Sequence, residues 1–260
     1  MLRGVASPNL QAVHPYYHFH GFAGDQIADD AVFYDKAAGN HAVPGANLSK
    51  SQLWTTAAGY ASTIEPVGGS TDSVLRIPSI NFDYAGGEKL IIWMLGKWTP
   101  EGSTASMLGD GSSTSLRGWR VLVPTTGKVQ IVLDGASSLF SGSTTAVAFD
   151  GALHSFAVVV DGAAKKYAMW VDEVVDAALF SGGYGVLSSG TDADTKTANT
   201  VNIGSTTASP GGTAGIATST RALAILRLPS TYTVPAIATM TAAFNQLRAN
   251  PGKLLLASAF

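Results

Sequence analysis

The chain has 260 residues, a net charge of −2, 13% charged and 46% hydrophobic residues, and no cysteine. This composition excludes an intrinsically disordered chain, a disulfide scaffold and a thiolate metal site. The basic residues are scattered and no segment approaches the roughly 18 consecutive apolar residues of a membrane helix, so we expect neither a nucleic acid nor a membrane partner.

Residues 1–24 are predicted to form an extended N-terminal arm, because Pro8 and Pro15 prevent a regular helix. The aromatic residues of this arm are Tyr16, Tyr17, Phe19 and Phe22. They are the candidate contacts to a neighbouring subunit. The alternative is that the aromatic half of the arm is a first strand at the edge of the domain that follows, residues 25–260.

Short strand-like runs separated by Gly, Ser, Thr and Asp fill most of the chain. The predicted strands are Ser73–Ile80, Lys89–Trp98, Ser106–Gly109, Gly118–Pro124, Lys128–Asp134, Ala146–Phe149, His154–Val160, Tyr167–Val171, Thr200–Gly204 and Ala222–Arg227. Many short strands with little helical periodicity predict an all-β, two-sheet antiparallel sandwich. Lys89–Trp98 is apolar on both faces, so we expect Trp93 and Trp98 to lie in the core.

The segment from His154 to Val171 predicts a β-hairpin. Its two runs alternate with the period of two that a pleated strand imposes. Asp161-Gly162 opens the turn, where glycine is expected to take a positive φ and the aspartate to cap its own backbone.

The hairpin is followed by a predicted loop and then by a predicted helix. Residues 182–210 are rich in Gly, Ser, Thr and Ala and are expected to form a long exposed loop around the short strand at Val201. Pro235–Leu247 has an apolar face with the helical period. The residues of that face are Ile237, Met240, Ala243, Phe244 and Leu247.

The hairpin motifs resemble those of laminin G-like and concanavalin A-like jelly-roll domains. They are Asp150-Gly151, His154 at the head of a strand, Asp161-Gly162, and a strand that ends in Val171-Asp172. The resemblance implies a jelly-roll sandwich and a structural role for His154. Glu173 stands where such domains have a turn glycine, so we expect that turn to be longer or of another type.

Two further segments carry the resemblance. Asp35, Gly39 and Asn40 match the motif that often opens such domains. The predicted helix followed by Asn250-Pro251 resembles the end of laminin G-like proteins encoded by bacteriophages and prophages. The resemblance therefore implies a virion protein.

The sequence lacks the motifs of enzymes that use this fold. Glycosidases need two facing carboxylates, commonly on alternate residues of one strand, and no two of the four glutamates have that spacing. We interpret Asp172 and Asp176 as residues of a solvated turn. Gln130 lacks the histidine that a lyase of this fold would place two residues on, and no Gly-x-Ser-x-Gly elbow is present. We expect no enzymatic activity.

No cofactor is predicted. The resemblance leaves calcium as a possibility, but neither Asp29-Asp30 nor Asp192 with Asp194 matches a calcium loop. His14, His18 and His20 could chelate a transition metal, although packing in an aromatic arm is the simpler interpretation.

Sugar binding needs an aromatic platform with polar neighbours. Trp119, Tyr184 and Trp54 are the candidates because glycine and polar residues flank them. The alternative for a lone strand tryptophan is that it fills the core.

Our leading hypothesis is a non-enzymatic structural component of a phage-like virion, in capsid decoration or in a tail or fibre. Its partners would be other virion proteins, with a trimer as the expected homo-oligomer. The N-terminal sequence lacks the apolar region of a signal peptide, so synthesis in the cytoplasm of a bacterial host is expected. The alternative is a lectin-like carbohydrate-binding module that recognises host surface glycans.

Overall fold

The structure is a computed structural model that describes residues 14–20, 43–44, 75–77, 84–100, 105–109, 118–134, 139–187, 201–203 and 216–249. The strands in these ranges are β1 (His14–His20), β2 (Val43–Pro44), β3 (Leu75–Ile77), β4 (Lys89–Pro100), β5 (Ala105–Gly109), β6 (Gly118–Val123), β7 (Lys128–Asp134), β8 (Leu139–Val147), β9 (Leu153–Asp161), β10 (Lys166–Val171), β11 (Val174–Val175), β12 (Gly185–Val186), β13 (Val201–Ile203) and β14 (Ile216–Leu228). The helices are α1 (Ala177–Phe180) and α2 (Ile237–Ala249).

The strands form two antiparallel sheets. The first sheet has the order β1-β14-β4-β9-β10-β11, with β12 also paired to β10. The second sheet has the order β2-β3-β13-β5-β6-β7-β8. This architecture confirms the predicted two-sheet jelly-roll sandwich with a short helix after the last described strand.

The middle of the first sheet is buried on both faces. β4 pairs with β14 on one side and with β9 on the other, and residues 90–95 of β4 are at most 1% exposed. Trp93 and Trp98 are fully buried, as predicted. Trp98 packs against Phe149 and Phe156 with ring centroids 5.5 and 5.4 Å away. Cover on both faces explains why this strand lacks polar alternation.

Helix α2 confirms the predicted amphipathic segment and covers the outer face of the first sheet. Its buried residues are Met240, Ala243, Phe244 and Leu247. The Phe244 ring centroid lies 5.0 Å from that of Trp170, and Trp170 Nε1 donates a hydrogen bond to Thr241 Oγ1 at 2.9 Å. No helix in the described part of the chain has the length and apolarity that crossing a membrane takes.

Two strands begin earlier than predicted. β8 starts at Leu139 rather than Ala146, and β14 starts at Ile216 rather than Ala222. Both additions are rich in Ser, Thr, Gly and Ala, whose small side chains carry no clear period of two. Backbone pairing with β7 and β4 extends these strands all the same.

The aromatic half of the predicted arm lies in a strand. Tyr16, Tyr17 and Phe19 belong to β1, which pairs with β14 at the edge of the first sheet. The backbone thus takes the edge-strand alternative over residues 14–20. Phe22 and the boundary between an arm and a domain lie outside the described residues, as does most of the predicted loop at 182–210. Within that loop, Gly185 and Val186 form β12.

The predicted hairpin is confirmed as β9 and β10, which pair from Phe156 with Val171 to Asp161 with Lys166. Asp161 caps the turn as predicted, since its Oδ1 accepts a hydrogen bond from Ala164 N at 2.9 Å. The prediction for Gly162 is wrong, because the positive φ of this turn is at Lys165. Gly162 is instead required by crowding: an added Cβ would lie 2.6 Å from the carbonyl oxygens of Tyr84 and Glu88.

We expect Gly162→Ala to destabilise the protein by about 1–3 kcal/mol, because backbone atoms must move to admit the methyl group. Gly182→Ala is the matched control, since an added Cβ there meets nothing within 4 Å. The control should change the free energy of unfolding by less than about 1 kcal/mol. Urea denaturation of both variants checks this, and equal midpoints would contradict the role assigned to Gly162.

The turn between β10 and β11 has two residues, Asp172 and Glu173, with φ values of 51° and 61°. Positive φ at both central positions is typical of a type I′ hairpin turn and is costly for a side chain such as glutamate. The side chains compensate for this cost. Asp172 Oδ1 accepts a hydrogen bond from Ser155 N at 3.0 Å, and Glu173 Oε1 accepts from the Ser155 hydroxyl and from Trp93 Nε1.

Glu173 is a buried carboxyl group, 8% exposed. Burial raises its pKa, while the hydrogen bond from Ser155, the charge of Arg248 and the hydrogen bond from Trp93 oppose the rise. The folded protein therefore binds this proton more tightly than the unfolded chain does. Its stabilising effect is present at low pH and is lost as the pH rises from about 4.5, the ordinary pKa of glutamate, through the raised pKa.

We therefore expect the free energy of unfolding of Glu173→Gln, relative to that of the unsubstituted protein, to increase between pH 4 and neutral pH. Glutamine keeps an oxygen that can accept from Ser155 and Trp93 but has no proton to lose. Urea denaturation of both proteins at a series of pH values measures the difference, and a difference that is constant with pH would contradict the assignment.

Candidate functional site

The candidate site lies on the outer face of the first sheet, the face that α2 covers. Directly paired residues of antiparallel strands share a face, so the pairs of Ala157 with Trp93 and Trp170 place these residues together under the helix. Asp161 is four residues farther along β9 and has the same orientation. This end of the face meets the segment that precedes α2.

A cavity of about 230 Å³ lies at this end of the sheet. Its lining comes from the β9–β10 hairpin, from the turn before β12 and from the segment between β14 and α2. The lining residues are Asp161, Ala164, Lys166, Tyr184, Thr233 and Val234. An aspartate carboxylate, a lysine ammonium group, a threonine, a tyrosine and a valine therefore line one small space.

The Asp161 carboxylate is held from two sides. Its Oδ1 accepts the hydrogen bond from Ala164 N and lies 3.6 Å from Lys89 Nζ. Lys89 is 1% exposed and also donates to the carbonyl oxygens of Gly87 at 2.8 Å and Ser230 at 2.6 Å. Because a buried ammonium is stable only when paired, these contacts hold three chain segments together. Asp161 Oδ2 has no hydrogen bond to a described residue and can accept one from a ligand.

The Tyr184 ring forms one wall of the cavity. Its hydroxyl donates a hydrogen bond to the Pro235 carbonyl oxygen at 2.9 Å. Burial and then the nearby charge of Asp161 raise the pKa of this hydroxyl, so it keeps its proton. The hydrogen bond to Pro235 therefore holds the Tyr184 ring in place at the side of the cavity.

The other end of the hairpin carries a polar cluster around His154. Its Nδ1 lies 2.7 Å from Asp172 Oδ2 and its Nε2 lies 3.1 Å from Asp150 Oδ1. The predicted structural role of His154, in a turn or cross-strand hydrogen bond, is confirmed, since both partners lie in turns next to β9 and β10. The hydrogen bond from Ala152 N is the main cause that lowers the pKa of Asp150. No group of three or more His, Cys, Asp or Glu residues that could hold a metal occurs in the described ranges.

The solvated-turn interpretation is wrong for Asp176, which is 7% exposed. The tight turn sends the chain straight back along β10, so that Asp176 N donates to the Met169 carbonyl oxygen at 3.1 Å. The carboxylate then accepts a hydrogen bond from Thr145 Oγ1 of β8 at 2.8 Å. Asp176 thus links the first sheet to the second.

The predicted sugar-binding residues do not form one site. Tyr184 lines the cavity, whereas Trp119 is fully buried. This burial agrees with the core-filling alternative for Trp119 and argues against an exposed sugar platform. Trp54 and the two acidic pairs weighed for calcium lie outside the described residues, and the three histidines of the arm lie in β1.

The sequence reasoning missed Asp161, Lys166 and Thr233 as residues of the site. Asp161 and Lys166 flank the hairpin turn, so the register of the predicted hairpin could have placed them opposite each other on one face. Thr233 has no local signal, because its position depends on where the segment after β14 runs.

The fold is similar to several solved domains. The CBM40 of the Ruminococcus gnavus IT-sialidase, bound to alpha2,3 sialyllactose, is 15% identical with a TM-score of 0.50, covering 70% of this chain and 96% of that one. The binding domain of botulinum neurotoxin serotype G is 8% identical with a TM-score of 0.58, covering 92% of this chain and 52% of that one. The binding domain of botulinum neurotoxin DC, in complex with rat synaptotagmin II, is 9% identical with a TM-score of 0.56 and the same coverage.

These similarities show that the chain has a β-sandwich fold. The chain spans about half the length of the two toxin chains. At such low identity the likeness concerns the fold alone. No protein-family model and no curated protein matches the sequence.

Proposed function

We propose that this protein is a non-enzymatic carbohydrate-binding domain that holds a sugar in the cavity lined by Asp161 and Tyr184. The observation that carries the proposal is the composition of that cavity. Sugar recognition combines polar groups that bind hydroxyls with an apolar or aromatic surface for the face of the ring. Asp161, Lys166 and Thr233 offer the polar groups, and Tyr184 with Val234 offers the apolar surface.

The size of the cavity limits the ligand. Its volume of about 230 Å³ is below the roughly 300–1,000 Å³ of typical small-molecule sites. One sugar ring or the end of a longer glycan suits such a space better than an internal stretch of polysaccharide. The rigid wall of Tyr184 and the fixed Asp161 carboxylate favour binding because little order has to be imposed on the protein.

Binding without turnover is supported by the acidic groups of the cavity. Glycoside hydrolysis uses two carboxyl groups on either side of the scissile bond. Asp161 is the one carboxylate in the lining as described. The similar CBM40 was solved with bound sialyllactose, which is consistent with a sugar-binding role for this fold but does not locate the site here.

Asp161→Asn should weaken glycan binding about tenfold or more, because a hydrogen bond to a charged acceptor contributes about 1.5–3 kcal/mol. The matched control is Asp150→Asn. Both aspartates accept a backbone hydrogen bond at an end of β9, but Asp150 lies at the opposite end from the cavity. A glycan array identifies the ligand, and isothermal titration calorimetry then compares the variants.

Asp161 also pairs with Lys89, so the folding of Asp161→Asn must be checked by circular dichroism. Thr233→Val is a second test of glycan binding at the cavity. Its control is Thr239→Val on α2, since both threonines are exposed and only Thr233 lines the cavity as described. The proposed function would be overturned if the unsubstituted protein bound no glycan on the array. It would also be overturned if the variants and their controls lost glycan affinity to the same extent. Trp119→Ala is not a suitable test of glycan binding, because Trp119 is fully buried and its removal would leave a cavity in the core.

The virion role, with its phage-like location, virion partners and trimer, stays a prediction. Deletion of residues 1–24 would remove β1 from the first sheet, so the intact chain is the better sample. Size-exclusion chromatography with light scattering should give three times the chain mass of 26.7 kDa for a trimer. A mass of one chain would contradict the predicted oligomer.

A further inference from the structure

Among the described residues that line the cavity, one positive charge has no ion-pair partner. Lys89 and Asp161 form a pair whose ammonium is buried and whose carboxylate is 12% exposed, so their charges offset each other within the protein. Glu88 and Arg227 form a second pair near the start of β4. Lys166 is exposed, lines the cavity and makes no ion pair with a described residue. Its positive charge is therefore left for the solvent or for a ligand.

A neighbouring side chain helps to fix this turn. Lys165 precedes Lys166, and its Nζ lies 4.3 Å from the centroid of the Tyr84 ring, a cation–π contact. The one carboxylate among the described lining residues, Asp161, is already paired with Lys89. The positive charge of Lys166 is therefore not offset by Asp161, although the whole chain has a net charge of −2.

We infer that the cavity binds a sugar with a negatively charged substituent, a carboxylate or a sulfate ester, and that Lys166 selects it. This inference rests on the proposed carbohydrate-binding function. Lys166 pairs directly with Asp161 and with Val186, so the ammonium belongs to the same face of the sheet as the fixed carboxylate. One ligand can donate a hydroxyl to Asp161 and place its anionic group at Lys166.

The position of Lys166 sets how much more tightly the cavity should bind an anionic sugar than a neutral one. An exposed ion pair is worth less than a buried one and is screened by salt, whereas the partial enclosure of the cavity strengthens it. Together these effects predict that loss of the ammonium weakens binding of the anionic sugar about five- to tenfold and leaves a neutral sugar almost unaffected.

The experiment compares each anionic glycan with its neutral counterpart. An array carries uronic acid, sialylated and sulfated glycans beside the carboxyl-reduced or desulfated forms of the same glycans. The unsubstituted protein, Lys166→Gln and the matched control Lys97→Gln are applied at low and high salt. Lys97 is an exposed lysine of β4 that pairs with Leu153, at the far end of β9 from Asp161.

The inference predicts binding that prefers the anionic forms and falls with salt. Binding of the anionic forms should be about five- to tenfold weaker in Lys166→Gln and unchanged in Lys97→Gln. Loss of binding on carboxyl reduction would identify the anionic group as a carboxylate, and loss on desulfation would identify it as a sulfate ester. If the anionic and neutral forms bound equally well and Asp161→Asn weakened the binding of both, this inference would be overturned and the proposed function would stand. Anionic preference that survives Lys166→Gln would also overturn it, and no binding to any form would overturn both.

Discussion

Burial of the first sheet on both faces governs how every other part of this fold is arranged. β4 and β9 lie between the second sheet and helix α2, so apolar side chains are needed on both of their faces. Each large apolar side chain that becomes buried contributes about 1.5–3 kcal/mol, whereas an exposed ion pair contributes about 0.2–1 kcal/mol. Packing of these strands therefore decides the architecture, and the polar groups adjust to it.

The same constraint explains where polar groups collect. Along the outer face of the β9–β10 hairpin, α2 covers the middle, at Ala157 and Trp170, and leaves the two ends to other partners. At one end, the Ser155 hydroxyl donates a hydrogen bond to Glu173, which stabilises a strained turn. At the other end, only one oxygen of Asp161 has a partner in the part of the chain that the structure describes. The first cluster completes the fold, while the second offers groups to a ligand.

The cavity end is rigid for a physical reason. The buried ammonium of Lys89 needs polar partners. It contacts the carbonyl oxygens of Gly87 and Ser230 and the carboxylate of Asp161, and so holds these three groups close together. Gly162 lets the hairpin turn approach that point closely. A preorganised polar site of this kind suits recognition of a sugar, whose hydroxyls bind best to groups already in position.

The spacing of apolar residues along the chain is enough to predict the fold class, the hairpin and the amphipathic helix, because it directly reflects which faces are covered. It also determined that Trp93 and Trp98 lie in the core. It did not determine that Trp119 is buried or that Asp176 links the sheets, since both depend on which strands become neighbours. Only the tertiary structure brought Thr233 and Tyr184 to Asp161, because residues far apart in the chain form a cavity only where packing makes their segments meet.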